Sequence, residues 1–120
     1  MSSEAHVMTT TILVNSNVMG DGPEEMCVKL IGSFFRKLCL EKKKPDVIVF
    51  YGSGVKLLAK GTSTVLDALE VLFESGVTLL ACGTCVDYYD IRDDVFVGRI
   101  TSMQDIVALL MKSEKVITVT

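Results

Sequence analysis

Positive charge is not in surplus in this 120-residue chain: Lys and Arg total 12 against 15 Asp and Glu, a formal net charge of -3. Nothing there would neutralise a phosphate backbone, so nucleic-acid binding is not expected. Long apolar runs are missing too, and none approaches the roughly 20 residues needed to cross a bilayer. Met1 to Thr10 has neither an apolar core nor a basic start, so it does not read as a signal peptide. A soluble cytoplasmic protein without a membrane partner is expected. Histidine occurs once, at His6, and with the cysteines it does not complete a closed four-ligand metal site. No metal or other cofactor is expected. Proline occurs twice, at Pro23 and Pro45, both ahead of the cysteine pair described below. A dithiol site of thioredoxin type needs a cis-proline from a segment downstream, and none is available.

What is present suits one compact domain. Apolar residues make up 49% and charged residues 22%, ordinary values for a chain with a single core. Residues 1–9 are polar and without periodicity, a flexible tail ahead of one α/β domain over 10–120. The β-branched run Thr11-Ile-Leu-Val-Asn15 reads as a buried strand. Pro23 suits a first helical position. Cys27, Leu30, Ile31, Phe34, Phe35 and Leu38 then recur at helical spacing, which predicts a helix over about 23–40. Val47 to Tyr51 is a second strand, ended by Gly52-Ser53-Gly54. Thr64 with Asp67 fits a capping box for a second helix, which Gly76 stops.

Val77 to Ala81 reads as the third strand, Val95-Phe96-Val97 as a fourth and Val116 to Val119 as a fifth. A short helix through Val86 and Tyr89 and a last helix capped by Ser102 complete the pattern. Strands that are apolar on both sides of the pleat need cover on both faces. The prediction is a three-layer α/β/α sandwich with a mostly parallel five-stranded sheet and right-handed crossovers. Sites in such sheets form beyond the carboxyl ends of the strands, where the loops 15–22, 51–55 and 82–90 compete for the place.

The strongest chemical signal is Cys82-Gly83-Thr84-Cys85 at the end of the third strand. A thiol at a helix start faces free amides, which favour its thiolate. A thiolate can take sulfane sulfur from a donor, hold it as a persulfide and pass it on, and a second thiol one turn away can resolve or receive. Asp87, Asp90, Asp93 and Asp94 crowd the following segment and oppose ionisation, with Arg92 the local compensation. Cys27 and Cys39 read as structural. Asn15, Ser16, Gly52, Ser53, Gly83 and Thr84 are the candidate pocket residues around the pair. As a phosphate cradle, the loop 15–22 is disfavoured by Asp21, Glu24 and Glu25 at the helix entrance.

With these residues in hand, the chain resembles the DsrE/DsrF-like family. Within it the likeness is greatest to the C-terminal domain of the selenium-metabolism protein YedF. The resemblance lies in Ile12-Leu-Val-Asn-Ser16 with Met19-Gly20, and in Val49-Phe-Tyr-Gly-Ser-Gly-Val-Lys-Leu57. It is most specific in Gly76-Val77 and Cys82-Gly-Thr-Cys-Val-Asp-Tyr-Tyr89, and it continues through Val97-Gly98 and Met103-Gln-Asp-Ile-Val107. It implies a homo-oligomeric α/β/α protein of sulfur relay, with the carrier cysteine just after the third strand, hence Cys82.

Two departures stand out. Relay members often carry a basic pair and a glycine where this chain has Tyr88, Tyr89 and Asp90. YedF-like proteins also carry a TusA-like domain ahead of this one, where here there is a short tail. A donor is then expected to be a separate protein or a small persulfide.

The expected function is a sulfur or selenium carrier, sulfurtransferase-like, with Cys82 as persulfide-forming nucleophile and Cys85 as second thiol. Its partners would be sulfur donors and acceptors. A dithiol–disulfide oxidoreductase using the same pair, distinguished by turnover of a model disulfide, is the alternative. A non-catalytic binding or assembly module, distinguished by inert thiols, is the third class.

Overall fold

The computed structural model describes residues 9–120. The expected tail, with His6, lies outside them except for Thr9, whose carbonyl accepts from Glu114 N and Lys115 N at 3.1 Å. Five strands and four helices follow in the order β1 (Thr10–Val14), α1 (Glu24–Leu38), β2 (Val47–Phe50), α2 (Leu66–Glu74), β3 (Thr78–Cys82), α3 (Gly83–Tyr88), β4 (Arg99–Thr101), α4 (Met103–Lys112) and β5 (Lys115–Val119). Two 3-10 stretches, Gly52–Leu58 and Arg92–Asp94, lie between them. The strands form one sheet in the order β4-β3-β2-β1-β5. Every ladder is parallel.

Side-chain alternation divides the sheet into two unequal faces. Ile12, Val14, Ile48, Phe50, Leu79 and Ala81 point to the side of α1, α2, α3 and the first 3-10 stretch, where Ile31, Phe35, Leu69, Leu72 and Val86 complete the larger core. Phe35 stacks on Phe50 with ring centres 6.1 Å apart. Val49, Leu80 and Cys82 point the other way and pack with Ile106 of α4, flanked by Leu13, Val47, Leu109 and Leu110. One ten-residue helix thus covers the second face.

The predicted helices and four of the five predicted strands are present, with shifted ends. Pro23 is the residue before α1 rather than its first, and its carbonyl accepts from Met26 N and Cys27 N. The capping box at Thr64 does not form. Val65 holds the cap position without a side-chain bond, and Asp67 turns its carboxylate to the amide of Ala68. Ser102 caps α4 as predicted, accepting from Asp105 N at 3.1 Å.

The fourth strand is a correction. Residues 95–97 are not in the sheet: Val95 makes an antiparallel bridge to Ala59. Phe96 N donates to Leu58 O at 2.8 Å, and Lys60 N to Asp94 O at 2.9 Å. The β-branched run ties down the exit of the 3-10 stretch instead. Gly98, at φ +84, then turns the chain into β4, and a side chain there would meet Leu79 O at 2.7 Å. Among the described residues no helix is long and apolar enough to cross a membrane.

Replacing Ser102 by Ala is expected to cost about 1 kcal/mol, the usual loss of an N-cap acceptor. Thr64→Ala should stay within about 0.5 kcal/mol, as for a surface change away from any cap. Urea unfolding of the two variants beside the parent checks both values.

Candidate functional site

Parallel register brings the ends of three strands to one level. Val14 lies opposite Phe50, and Phe50 opposite Ala81. The segments leaving β1, β2 and β3 therefore meet beyond the same edge of the sheet. Tyr51 N donates to Val14 O at 3.0 Å, continuing the ladder one step past β2. Asn17 N donates to Ser53 Oγ at 3.2 Å, tying the first loop to the second.

The cysteine pair sits at this meeting point, and its two thiols have different surroundings. Cys82 ends β3 with extended backbone and precedes α3. Alternation along β3 turns its side chain toward Val49, Leu80 and Ile106, where the residue is 1% exposed. Cys85, in the first turn of α3, is half-buried. The amide of Gly52 donates to Cys85 Sγ at 3.1 Å, across 33 positions of sequence.

That amide is aimed by the backbone of Gly52. The residue lies at φ +56, and a Cβ there would stand 2.8 Å from Asn15 O. Glycine alone fits such a conformation against such a neighbour without strain. Asn15, Gly52 and Cys85 therefore form a chain of contacts running from loop to loop.

Burial first of all pushes the Cys85 thiol up, the Gly52 amide opposes the rise, and the neighbouring thiol of Cys82 adds to it. The expected opposition to ionisation is present, but burial and the neighbouring thiol produce it rather than the aspartates. Asp87 is engaged with Arg92, at 2.7 Å to Nε and 3.0 Å to Nη2. Those bonds hold the Asp87 carboxyl below the usual carboxylate range.

The remaining pocket candidates divide. Ser53 bonds the first loop, while Ser16 Oγ is turned to Val18 N within its own loop. Gly83 is packed against Ile100 and the Thr101 carbonyl of β4. Thr84 is exposed on α3. Cys27 is buried, its thiol donating to the carbonyls of Gly20 and Gly22. Cys39 donates to Ala68 O. Among the described residues no three of His, Cys, Asp and Glu gather in a way that could hold a metal ion.

Sequence reasoning missed Lys56. It projects from the 3-10 stretch and places Nζ 4.4 Å from the ring centre of Tyr89. A cation thus approaches the end of α3 from another segment. The local signal was the lysine four positions after Gly52; its approach to Tyr89 depends on the fold. Asp90, at the position of the relay glycine, adopts φ +55, a conformation Asp tolerates better than most residues.

The larger clefts, of about 270 to 360 Å³, lie at the opposite end of the sheet, around Thr10 and Lys115 and around Thr78 and Gly98. They hold no thiol. A smaller apolar cleft of about 180 Å³, lined by Leu13, Tyr51, Met103, Ile106 and Leu110, opens on the Cys82 face of the sheet.

A parallel α/β sandwich with a dithiol at the carboxyl edge of its sheet is the class that fold and site define. The sequence model of the DsrE/DsrF-like family matches residues 17–119, and the chain belongs to that family. Solved structures share the fold. The protein of unknown function MTH1491 from Methanobacterium thermoautotrophicum is 20% identical with a TM-score of 0.69, over 93% of this chain and 99% of that one. The BT1422 protein of unknown function from Bacteroides thetaiotaomicron is 16% identical with a TM-score of 0.66, over 99% and 100%. The ychN protein of E. coli is 16% identical with a TM-score of 0.63, over 92% and 99%. No curated protein matches the chain.

Gly52→Ala is expected to destabilise the protein by about 1–3 kcal/mol, since a left-handed backbone and a close carbonyl both oppose the new methyl group. Thermal or urea unfolding measures it.

A raised thiol pKa means less thiolate at any given pH. Alkylation of Cys85 should therefore rise with pH, with a midpoint above the ordinary cysteine value of about 8.5. Site-resolved alkylation rates on the native protein, with a free cysteine peptide as reference, report that midpoint.

Proposed function

We propose that this protein is a sulfur carrier whose working site is the Cys82–Cys85 pair. The observation that carries this reading is the backbone amide of Gly52 aimed at Cys85 Sγ from 3.1 Å, beside a second thiol. An amide directed at a sulfur atom favours its anionic form. A persulfide anion formed there would be held by a donor that is fixed in advance. Membership of the DsrE/DsrF-like family, linked to sulfur relay, supports the same chemistry.

Sulfur donors and acceptors, whether proteins or small persulfides, are the partners in this reading, and copies of the chain associate with one another. The site requires no metal or nucleotide for this exchange. The run from Cys82 to Tyr89 extends the reading toward selenium metabolism of YedF type. A cytoplasmic setting, where thiols stay reduced, suits it.

A second reading is dithiol–disulfide exchange. It is favoured by the packing of Cys85 against the cluster that holds Cys82, since a disulfide-forming pair must lie close together.

On exposure to inorganic polysulfide, the reduced protein should gain one sulfur atom by intact mass, and Cys82→Ser/Cys85→Ser should gain none. Rapid reduction of a model disulfide with no bound sulfur would favour the oxidoreductase. Thiols that take up no sulfur and reduce no disulfide, beside a loaded control protein, would favour a binding module.

A further inference from the structure

Resting on the carrier reading, we infer that Cys85 is the thiol that first accepts sulfur, and that Cys82 is its enclosed neighbour. The family resemblance points to the residue that ends β3, but the surroundings of the two sulfurs point one turn further.

Access is the first reason. Sulfur transfer requires the attacking thiolate and the sulfane sulfur to approach within about 3–3.5 Å, in line with the bond that breaks. Cys82 is 1% exposed, enclosed by Val49, Leu80 and Ile106. No donor reaches it in this conformation without moving α4 or the end of β3. Cys85 is half-buried on the first turn of α3, with exposed Thr84 beside it in sequence.

The second reason is the prepared donor. Gly52 N–H points at Cys85 Sγ. Its direction is set by a left-handed glycine packed on the Asn15 carbonyl, so it costs no rearrangement when charge develops on the sulfur.

The third reason is charge nearby. Lys56, five residues after Tyr51 in the same connection as Gly52, stands over Tyr89, which lies one helical turn after Cys85 and donates its amide to the Cys85 carbonyl. The Asp87 carboxylate is occupied by Arg92.

The step balances without an oxidant or reductant. Cys85 gives its proton to solvent, and its thiolate attacks the terminal sulfur of a donor persulfide, R–S–SH. A Cys85 S–S bond forms and the donor S–S bond breaks. The bonding pair leaves on the donor sulfur, which takes up a proton as R–SH.

The test uses the full chain. Reduced protein is mixed with inorganic polysulfide, capped with an alkylating reagent at the earliest time points and cleaved, and fragment masses locate the added sulfur. The expected result is sulfur on Cys85 in the parent and at least a tenfold loss of uptake in Cys85→Ser. Mapping on the parent needs no variant, so a misfolded substitution does not decide the outcome. Sulfur found first on Cys82, or equally on both, overturns the assignment and leaves the carrier reading standing. A parent that takes up no sulfur while a control protein loads overturns the carrier reading itself.

Discussion

Parallel pairing sets Val14 beside Phe50 and Phe50 beside Ala81, so three segments leave the sheet at one level. The thiol site depends on that register. A one-residue slip between β2 and β3 would turn Cys82 to the other face. It would also displace Cys85 from the Gly52 amide by about 3.3 Å, a strand's rise per residue. The hydrogen bond from Gly52 N to Cys85 Sγ is thus a readout of correct strand pairing as well as a feature of the site. The same register holds the first loop, since Tyr51 N bonds Val14 O and Gly52 lies against the Asn15 carbonyl.

The two thiols differ because a strand and a helix present side chains by different rules. In β3 the side chains alternate, so Leu79 and Ala81 face the larger core while Leu80 and Cys82 face α4. At Gly83 the chain becomes helical, and Cys85 follows a helical period that brings it against Gly52. The unequal layers sharpen the contrast. The α4 side has one covering helix, whose Val107 and Met111 remain exposed. Cys82 is closed off by a few apolar contacts, chiefly Val49, Leu80 and Ile106.

Much of this was legible in the residues. The apolar runs that became β1, β2 and β3 are continuous because both faces are covered, while that of β5 lies at a sheet edge with Val116 and Ile117 exposed. The helical face of α1 follows from the spacing of Cys27, Ile31 and Phe35. What misled was β4. Its three residues, Arg99-Ile100-Thr101, hold one apolar side chain, because an edge strand beside β3 has little surface to bury. The apolar run just before it is used to clamp Ala59 and Leu58. Thr64 had the right spacing for a cap, but a capping side chain must also reach its amide, and Ser63 bonds Val65 N instead. The motif at Cys82 and Cys85 was plain. The donor to Cys85 was not, because a main-chain amide leaves no residue type to recognise, and its partner lies 33 positions away.

A half-buried thiol with a raised pKa looks at first poorly suited to nucleophilic work, but in the proposed carrier reading acceptance and retention make different demands. Acceptance depends on the thiolate fraction and on intrinsic nucleophilicity, and the second falls as pKa falls. A thiol made strongly acidic by a basic pair would ionise fully and attack less well. Here the raised Cys85 thiol has burial and Cys82 against its charge and one amide in favour of it. On the proposed carrier reading, the same amide would remain in place once sulfur is bound and favour its anionic form. On that same reading, a single fixed dipole of this kind would favour retention of sulfur over speed of acceptance.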